Sequence, residues 1–339
     1  MKPNVPLKDY TTMRLGGPAR VLATATTKEE LVSFITQASE QNMPVLVLGE
    51  GSNIIVGDAG FAGFVILNRI LGFEVISDDA ASSTIKIGAG ENWDEIVGKC
   101  VSMELSGVEN LSAIPGCVGA APIQNIGAYG QELADSLLEL EAYDLLNKSF
   151  VTLKNNDCDF SYRHSIFNST AKRHYVIVSI TLQLSHTVLQ PPFYDSLQVY
   201  LDKNQITDYS PASLRQAVTA IRATRLPSPK TIASCGSFFK NPLVEKWQVD
   251  ELRNNYDNPP IFAMGDNLFK ISAGWLIEET GLKGYQQDGI KVYEKNALVL
   301  INESATSYEQ LVAMREYIID TVRDNFRITL EQEPEEVGV

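Results

Sequence analysis

The sequence predicts a mixed α/β fold, because helix signals alternate along it with short apolar runs typical of buried strands. Thr27 and Glu30 form a capping-box pattern in front of an amphipathic stretch, and residues 45–48 are four consecutive Val and Leu residues. A chain of 339 residues is long enough for two or three domains with a substantial core. We predict the main joint between domains near residues 205–211.

The first elements follow in order. The first helix should end near Asn42, before Pro44. Residues 49–53 form a turn between the strand at 45–48 and a second strand at 54–56. The alternating Ile85 and Ile87 indicate a further strand.

Later elements are marked by caps and apolar stripes. Asn92, with Glu95 behind it, should begin a helix that runs to about Leu105. Strand signals recur at residues 139–145 and 175–184. Two more helices should start at Ser210-Pro211 and near Ser307.

Composition indicates an ordinary globular protein and excludes several classes. The formal net charge of -14 and the pI of about 4.7 argue against nucleic-acid binding. No apolar run approaches a membrane span, and residues 1–6 lack the apolar core of a secretory signal, so we expect a cytoplasmic protein. The four cysteines form no close pair and the three histidines have no metal-ligand spacing, so neither a disulfide scaffold nor a metal site is expected. The histidines are better interpreted as structural or exposed than as catalytic.

Residues 209–244 carry a local excess of positive charge. This window contains no Asp or Glu, although the chain as a whole is acidic. Its cations are Arg215, Arg222, Arg225, Lys230 and Lys240. A cationic pocket for a small polyanion such as a diphosphate is one interpretation, and a solvated basic face is the other.

Residues 235–242 combine a hydroxyl, an apolar surface that can exclude water, and a cation. Gly236 allows a sharp turn before Ser237, and two phenylalanines follow that can exclude water from one side of the hydroxyl. Lys240 and Asn241 then supply donors that suit anionic or sugar oxygens. The hypothesis is a serine that handles a proton on a bound anion; the alternative is a buried strand ended by Asn-Pro.

Two glycine-bearing segments are candidates for nucleotide binding. Residues 48–53 lie between two strands and could present backbone N–H groups to a phosphate, but they lack the third glycine and the following helix of a dinucleotide fingerprint. Residues 114–130 lie in a run of 22 residues without charge, from 110 to 131. That run could wrap a flat ring system with main-chain hydrogen bonds, or it could be a buried structural loop.

Taken together, these segments resemble the UDP-N-acetylenolpyruvoylglucosamine reductase family. The matching motifs span nearly the whole chain and lie at residues 49–53, 114–130, 161–167, 225–227, 236–242, 272–278 and 330–334. An insertion around residues 191–194 resembles the longer type of this family, which carries a substrate-binding tyrosine loop.

The resemblance implies an α+β protein with a two-lobed FAD-binding domain of the vanillyl-alcohol-oxidase type and a C-terminal α+β substrate-binding domain. The lobes would be residues 1–68 and 69–208, the substrate domain 209–325, and the tail 326–339 would return to the active site. The implied activity reduces the enolpyruvyl ether of UDP-N-acetylglucosamine to UDP-N-acetylmuramate for peptidoglycan synthesis. Non-covalent FAD would be the cofactor and NADPH the hydride donor. Separately from the resemblance, we expect a monomer with no nucleic-acid or membrane partner.

The resemblance also implies roles for individual residues. Ser237 matches the family's proton donor, and Arg163 and Glu333 match the pair that polarises the substrate carboxyl; the choice of Glu333 over Glu331 rests on the resemblance alone. By the same resemblance, Tyr194, Arg225 and Asn241 would contact the diphosphate of the substrate. The implied FAD contacts are Gly49, Gly51, Ser52, Asn53, Ile114, Pro115, Gly116, Gly119, Ala120, Asn125, Gly127, Ala128, Tyr129 and Arg222.

The chain departs from the family pattern at two positions. Many relatives have lysine at the position of Arg225, and a small alanine is common at the position of Cys235, so we expect Cys235 to pack in the interior. A thiol so close to Ser237 could also sensitise the enzyme to alkylation.

Two other interpretations remain open. One is a different flavin enzyme of the same cofactor-binding fold, such as an oxidase of hydroxy acids. The other is a nucleotide-sugar-binding protein without catalytic activity. Releasable FAD would exclude the second, and NADPH oxidation that depends on the enolpyruvyl substrate would exclude the first.

Overall fold

The structure is a computed structural model that describes residues 1–265 and 267–339. The chain folds into two compact units. Unit 1 comprises Met1–Val5, Ala19–Glu50 and Ala62–Thr224, and unit 2 comprises Pro6–Pro18, Gly51–Phe61 and Arg225–Val339.

The α-helices of the described residues are unequal in length and spread over the whole chain. They lie at Lys28–Glu40, Trp93–Ser102, Asp195–Lys203, Pro211–Arg225, Lys246–Asn255, Ala273–Glu279 and Tyr308–Phe326.

Unit 1 is built around two sheets. The strand order of the first is Lys2–Pro6, Pro18–Ala25, Phe61–Asn68 and Val45–Leu48, and its last two strands are parallel. The strand order of the second is Ser149–Lys154, Leu137–Asp144, Tyr175–Ser185, Ser82–Gly88 and Phe73–Asp78, antiparallel throughout. A short hairpin of Gly127–Ala128 and Gln131–Glu132 lies apart from both.

One helix packs against a face of each sheet in unit 1. Helix Lys28–Glu40 buries Leu31, Ile35 and Ala38 against the first sheet. Helix Trp93–Ser102 buries its apolar stripe, including Trp93, against the second. Burial of such stripes supplies most of the stability of amphipathic helices.

The described residues of unit 2 form three small sheets and, among their helices, one long helix. The strand orders are Ala233–Ser237, Val299–Asn302, Ile290–Val292 and Gln286–Gln287 in the first sheet, and Leu243–Glu245, Leu268–Ile271 and Ile261–Gly265 in the second. The third pairs Glu335–Val337 in parallel with Ile54–Val56. Helix Tyr308–Phe326 buries Leu311, Met314, Ile318, Val322 and Phe326 in the unit's core.

Most predicted elements are present, with small differences at their ends. Thr27 caps its helix as expected, but the Glu30 carboxylate bonds to Thr26 rather than closing a reciprocal box with Thr27. Helix Trp93–Ser102 ends before the predicted Leu105 because Glu104 adopts a left-handed φ of 59°.

The predicted division into domains remains a prediction. The first sheet uses residues 2–68 and the second residues 73–185, whereas the compact units separate after Thr224 rather than near residue 208. The α+β class itself is confirmed by the largely antiparallel sheets and the separate helices. Of the described helices, none is long and apolar enough to cross a membrane.

Candidate active site

The glycine-rich run 110–131 in unit 1 is a loop with an unusual backbone. Short 3₁₀ turns are followed there by two strands of two residues each. Ala113, Asn125 and Tyr129 adopt φ values of 57°, 47° and 49°, and Gly116 adopts 126°. Such conformations cost energy in residues other than glycine and cluster at ligand-binding sites. The expectation of an irregular loop is confirmed.

This loop is fastened to the junction between strand Ser82–Gly88 and the following helix. Gly116 accepts from the Trp93 N–H over 2.9 Å, and Gly119 donates to the Ala89 carbonyl over 2.9 Å. A Cβ at residue 119 would lie 2.6 Å from the Ala89 Cβ, so only glycine fits without movement of the backbone. Ala120 continues the same 3₁₀ turn, and Ile114 and Pro115 lead into it.

The Asn125 side chain forms several hydrogen bonds inside the loop. Its side chain is fully buried, and its amide donates to Glu132 Oε2 over 2.7 Å and to the Ser161 carbonyl over 3.3 Å. Its Oδ1 accepts from the Ala134 N–H over 3.0 Å. These bonds occupy the side chain within the protein, so a contact from residue 125 to a cofactor would use its backbone.

Arg222 lies against the start of the loop, and burial lowers the pKa of its guanidinium. Its Nε donates to the Ala113 carbonyl over 3.3 Å. The Ala113 N–H donates in turn to Asp94, which also forms an ion pair with Arg215 at 2.6 Å. Ala113, at its strained φ, is therefore fixed on both sides by side chains from two helices.

The cations of residues 209–244 are divided between the two units. Arg215 and Arg222 belong to unit 1, whereas Arg225, Lys230 and Lys240 belong to unit 2. Arg215 is neutralised by Asp94, and Lys240 lies 3.5 Å from the exposed Glu331 carboxylate. The charge excess is therefore partly compensated by ion pairs, and the expectation of a cationic pocket for a small polyanion stays a prediction.

Arg163 occupies the tip of a tight turn in unit 1. Ser161 and His164 exchange both backbone hydrogen bonds, and Arg163 has a φ of 54°. Its guanidinium donates to the Gly127 carbonyl over 2.9 Å. This contact joins two of the predicted motifs, 114–130 and 161–167, and sets the direction of the Arg163 side chain.

Tyr194 lies next to the same loop. Its ring makes an edge contact with Tyr129, with centroids 6.2 Å apart, and its Cβ is close to Gly130. Tyr194 is 42% exposed and stands at the start of helix Asp195–Lys203. Two predicted residues, one assigned to the cofactor and one to the substrate, therefore touch within unit 1.

The turn at residues 49–53 is shaped by close backbone contacts. In unit 1, the Gly49 carbonyl accepts from Arg69 over 3.1 Å. In unit 2, Gly51 has a φ of 65°, and a Cβ there would lie 2.0 Å from the Tyr10 carbonyl oxygen. Ser52 and Asn53 are half-buried, and the Asn53 carbonyl accepts from the Glu335 N–H. As predicted, no helix follows this turn.

Ser237 ends a strand of unit 2 at an irregular position. The register of Ala233–Ser237 against Val299–Asn302 shifts between Ser234 and Ser237, and Gly236 has a φ of 76°. Phe238 and Phe239 are buried in the core, whereas Ser237 itself is half-buried. The predicted apolar surface beside the Ser237 hydroxyl is therefore present. The strand predicted by the alternative interpretation is present as well.

The C-terminal tail pairs with the segment that follows Ser237. Glu333 N–H donates to the Phe238 carbonyl and Lys240 N–H to the Glu331 carbonyl, both over 2.9 Å. Glu333 is half-buried, whereas the Glu331 side chain is 76% exposed. Burial first, and then the Glu333 carboxylate, raise the pKa of Cys235 to about 12. Glu333, rather than Glu331, therefore belongs to the interior side of the tail.

The two remaining substrate residues lie at element ends in unit 2. Asn241 Oδ1 accepts from the Ala273 N–H over 2.9 Å, which fixes its amide at the start of helix Ala273–Glu279. Arg225 is exposed at the C-terminus of its helix. Cys235 is buried as expected, but its raised pKa argues against the suggested sensitivity to alkylation.

Sequence reasoning missed several residues that organise the site. Asp94 accepts from the Ala113 N–H and is paired with Arg215, and Arg315 contacts Gln332 and Glu336 in the tail beside Glu333. The signal for Asp94 was present in its first-turn position beside the Asn92 cap, but nothing local indicated its partner 121 residues away. Within the described part of the chain, no group of His, Cys, Asp and Glu could hold a metal ion.

Comparisons with known proteins agree with this architecture. Residues 228–337 match the C-terminal domain of UDP-N-acetylenolpyruvoylglucosamine reductase, and residues 19–148 match an FAD binding domain. The UDP-N-acetylenolpyruvoylglucosamine reductases of Ralstonia nicotianae and Photorhabdus laumondii are 39% and 37% identical to the chain. Each comparison covers 98% of this chain, and 98% and 96% of the respective relative.

A solved structure extends the similarity to three dimensions. The crystal structure of UDP-N-acetylenolpyruvylglucosamine reductase from Thermus caldophilus has a TM-score of 0.68 and 25% identity. The similarity covers 98% of this chain and 97% of that one. With the near-complete coverage of the curated relatives, these findings show that the chain belongs to the UDP-N-acetylenolpyruvoylglucosamine reductase family.

Proposed function

We propose that the protein reduces the enolpyruvyl ether of UDP-N-acetylglucosamine to UDP-N-acetylmuramate, a step of peptidoglycan synthesis, with FAD as cofactor and NADPH as electron source. Membership of the family supports the reaction, and the FAD binding domain supports the cofactor. Family membership also disfavours the two alternatives, a hydroxy-acid oxidase and a binding protein without activity.

The loop at residues 110–131 fits a flavin nucleotide. It presents backbone amides in strained conformations, it carries no charge, and Arg222 stands beside it. Two buried acceptors at its start, Glu109 Oε1 and Asn110 Oδ1, have no donor among the described residues. Buried acceptors without a donor are costly, and they suit a ligand that brings N–H and O–H groups, as FAD does.

The residues that would hold FAD are those of the two glycine-bearing segments together with Arg222. When bound, FAD supplies the hydride that reaches the terminal carbon of the enol ether. The chain must then stabilise the negative charge that develops on the carbon next to the substrate carboxylate, and it must supply one proton to that same carbon, not to the terminal one.

We assign the proton to Ser237 and the stabilisation to Arg163 and Glu333. An enolate is basic enough to accept a proton from an alcohol held against it, and general acid catalysis of this kind contributes roughly 10²–10⁴-fold. The cation of Arg163 would stabilise developing negative charge in a site with little water. Glu333 contributes only as a hydrogen-bond donor or by orienting a cation, because a bare carboxylate would oppose the enolate.

The observation that carries these roles is the pairing of residues 331–333 with residues 238–240. It brings a half-buried carboxyl group from the end of the chain to the segment that begins with Ser237. Buried Phe238 and Phe239 limit water on one side of that segment.

Substrate recognition is proposed for Tyr194, Arg225 and Asn241. The exposed guanidinium of Arg225 and the fixed amide of Asn241 offer donors suited to a diphosphate. Arg225→Ala should therefore raise KM for the nucleotide sugar while kcat changes little, and an unchanged KM would contradict the diphosphate role.

We further propose that the protein works in the cytoplasm as a monomer, without nucleic acid or membrane. The strongly acidic charge opposes binding to nucleic acid. The four buried free cysteines agree with a reducing compartment.

Stopped-flow separation of the two half-reactions tests the function. NADPH should bleach the bound flavin, and the enolpyruvyl nucleotide sugar should then restore its absorbance under anaerobic conditions. Purified protein that holds no flavin and gains no activity with added FAD would refute the proposal, and so would reduced flavin whose absorbance the nucleotide sugar does not restore.

A further inference from the structure

The tail around Glu333 is held by a side-chain network as well as by backbone pairing. Arg315 lies in the middle of helix Tyr308–Phe326, and its Nη1 donates to Gln332 Oε1 over 2.9 Å and contacts Glu336 Oε1. The side chain of Arg315 is only 16% exposed. The guanidinium therefore bonds to side chains on both sides of Glu333 in the sequence.

The Gln332 side chain links Arg315 to the residue that follows Glu333. While its Oε1 accepts from Arg315, its Nε2 donates to the Pro334 carbonyl over 2.8 Å. The amide thus closes a small ring around Glu333, and Arg315 sets the orientation of that amide. Pro334, whose carbonyl accepts this bond, is buried, so one end of the hydrogen-bonded ring is held in the interior.

Glu336 is held from a second side. The Tyr308 hydroxyl donates to Glu336 Oε1 over 2.5 Å, and the Tyr308 N–H donates to Asp58. Burial first, and then Glu336, raise the pKa of Tyr308 to about 12, so its hydroxyl remains a donor at neutral pH. Tyr308 and Arg315 thus hold the Glu336 carboxylate where strand Glu335–Val337 meets Ile54–Val56.

We propose that Arg315 is a positioning residue for the reaction: acting through Gln332 and Glu336, it fixes the tail so that the Glu333 carboxyl stays on the interior side beside the segment after Ser237. The proposal rests on the role assigned to Glu333 above. Arg315 acts through these side chains and not by touching cofactor or substrate. Its planar guanidinium suits the task because it reaches two partners at once.

The test is Arg315→Met, compared with Arg323→Met on the same helix. Arg323 is 49% exposed, and among the described residues its ion pairs are with Asp320 and Asp324, so its replacement removes the same charge without touching the tail. We expect Arg315→Met to slow the restoration of flavin absorbance by substrate about 10- to 100-fold, as misplacement by about 1 Å does elsewhere. Flavin reduction by NADPH should change less than twofold in both variants.

A double-mutant cycle separates positioning from general damage. If Arg315 acts through Glu333, adding Arg315→Met to a Glu333→Gln protein should slow the restoration of flavin absorbance by substrate less than about twofold. The same loss in both backgrounds would overturn the proposal, as would equal slowing of both half-reactions or behaviour like that of Arg323→Met.

Gln332→Met provides a second route if Arg315→Met folds poorly. It removes the amide that encloses Glu333 but leaves Arg315 in contact with Glu336 and Glu316. We expect the same selective loss, and an unaffected half-reaction with substrate would contradict the proposal. Wild-type enzyme whose flavin is not reoxidised by the nucleotide sugar would instead refute the proposed function itself.

Discussion

The glycine-rich loop of unit 1 and the Ser237 segment of unit 2 are held in place by different means. The loop depends on backbone conformation, with Ala113, Asn125 and Tyr129 at positive φ and Gly119 in close contact with Ala89. The Ser237 segment depends on a partner from the chain terminus, because residues 238–240 pair with residues 331–333. The first region combines its own backbone conformations with several contacts from outside the loop, such as that of Arg222. The second depends on a contact between residues about 90 positions apart.

The difference suggests where substitutions should act. Changes in the loop should alter stability and cofactor affinity, because its shape is a property of the folded backbone. Changes in the Ser237 segment and the tail should alter the chemical step, because their backbone pairing leaves the fold intact when one side chain is removed.

The largest expected effect is that of Ser237→Ala. Flavin reduction by NADPH should continue at the wild-type rate, while reoxidation by the nucleotide sugar falls roughly 10²–10⁴-fold, about 3–5 kcal/mol of transition-state stabilisation. Stopped-flow absorbance of the flavin measures both steps. Because the half-buried Ser237 contributes little to the core, unfolding should be nearly unchanged. Reoxidation at the wild-type rate would remove Ser237 from the mechanism.

A pair of glycine variants sharpens the contrast between the regions. In Gly119→Ala the new Cβ would lie 2.6 Å from the Ala89 Cβ, so the backbone must move, and we expect a loss of about 2–3 kcal/mol in unfolding free energy. Gly236→Ala has open space around the new Cβ, and its cost should be only about 1 kcal/mol, from a φ of 76°.

Denaturant unfolding and FAD titration measure both variants. Gly119→Ala should also bind FAD more weakly, whereas Gly236→Ala should bind it normally. Equal losses of stability in the two variants would contradict the view that close packing, rather than backbone conformation alone, determines residue 119.

The same contrast explains what could be predicted from the sequence. Short-range signals sufficed for the caps at Thr27, Asn92 and Ser307, for the strand at 45–48 and for the irregular loop at 110–131. Each of these depends on a few neighbouring residues or on the absence of charge. The capping box at Glu30 was wrong in detail because an alternative contact with Thr26 lay one residue away.

Contacts between distant residues could not be predicted in this way. The charge excess of residues 209–244 could be counted from the sequence, but the ion pairs of Arg215 with Asp94 and of Lys240 with Glu331 could not be predicted from it. Likewise nothing local in residues 308–326 marked Arg315 as a partner of the tail. The resemblance to a family selected Glu333 over Glu331, and burial in the structure supports the same choice.

A smaller effect is expected for Asp94→Asn, which loosens the support of Ala113. Burial raises the pKa of Asp94, but hydrogen bonds from Arg215 and the Ala113 N–H lower it more, so the net pKa is below its ordinary value. The pair is partly exposed and screened, so we expect FAD affinity to fall about fivefold, or about 1 kcal/mol. Flavin fluorescence titration at pH 7 measures it.

The pH dependence has a defined sign. A carboxyl with a lowered pKa in the folded state contributes stability above its ordinary pKa near 3.8, and the contribution is lost as pH falls through the folded value. Wild-type FAD affinity should therefore stay level from pH 7 down to about pH 4 and weaken below it. Asp94→Asn should lack that acid-dependent component, and parallel curves for the two proteins would contradict the assignment.

The smallest effect at neutral pH is expected for Cys235. Burial first, and then Glu333, raise its pKa from 9.0 to about 12, so the thiolate needed for alkylation is scarce at pH 8. Iodoacetamide should leave Cys235 unmodified in the native protein and modify it after unfolding, as measured by mass spectrometry of peptides. Cys235→Ala should retain activity within about twofold, because the thiol serves as a small buried side chain.

Alkaline unfolding distinguishes a buried thiol from a reactive one. A group whose pKa is raised by folding contributes its full stability below the unfolded value near 9, and the contribution is lost as pH rises towards 12. The advantage in unfolding free energy of wild type over Cys235→Ala should therefore shrink across that interval. Native labelling of Cys235 at pH 8, or an advantage that is constant up to pH 11, would show that Cys235 is accessible and would contradict its burial beside the Glu333 carboxylate.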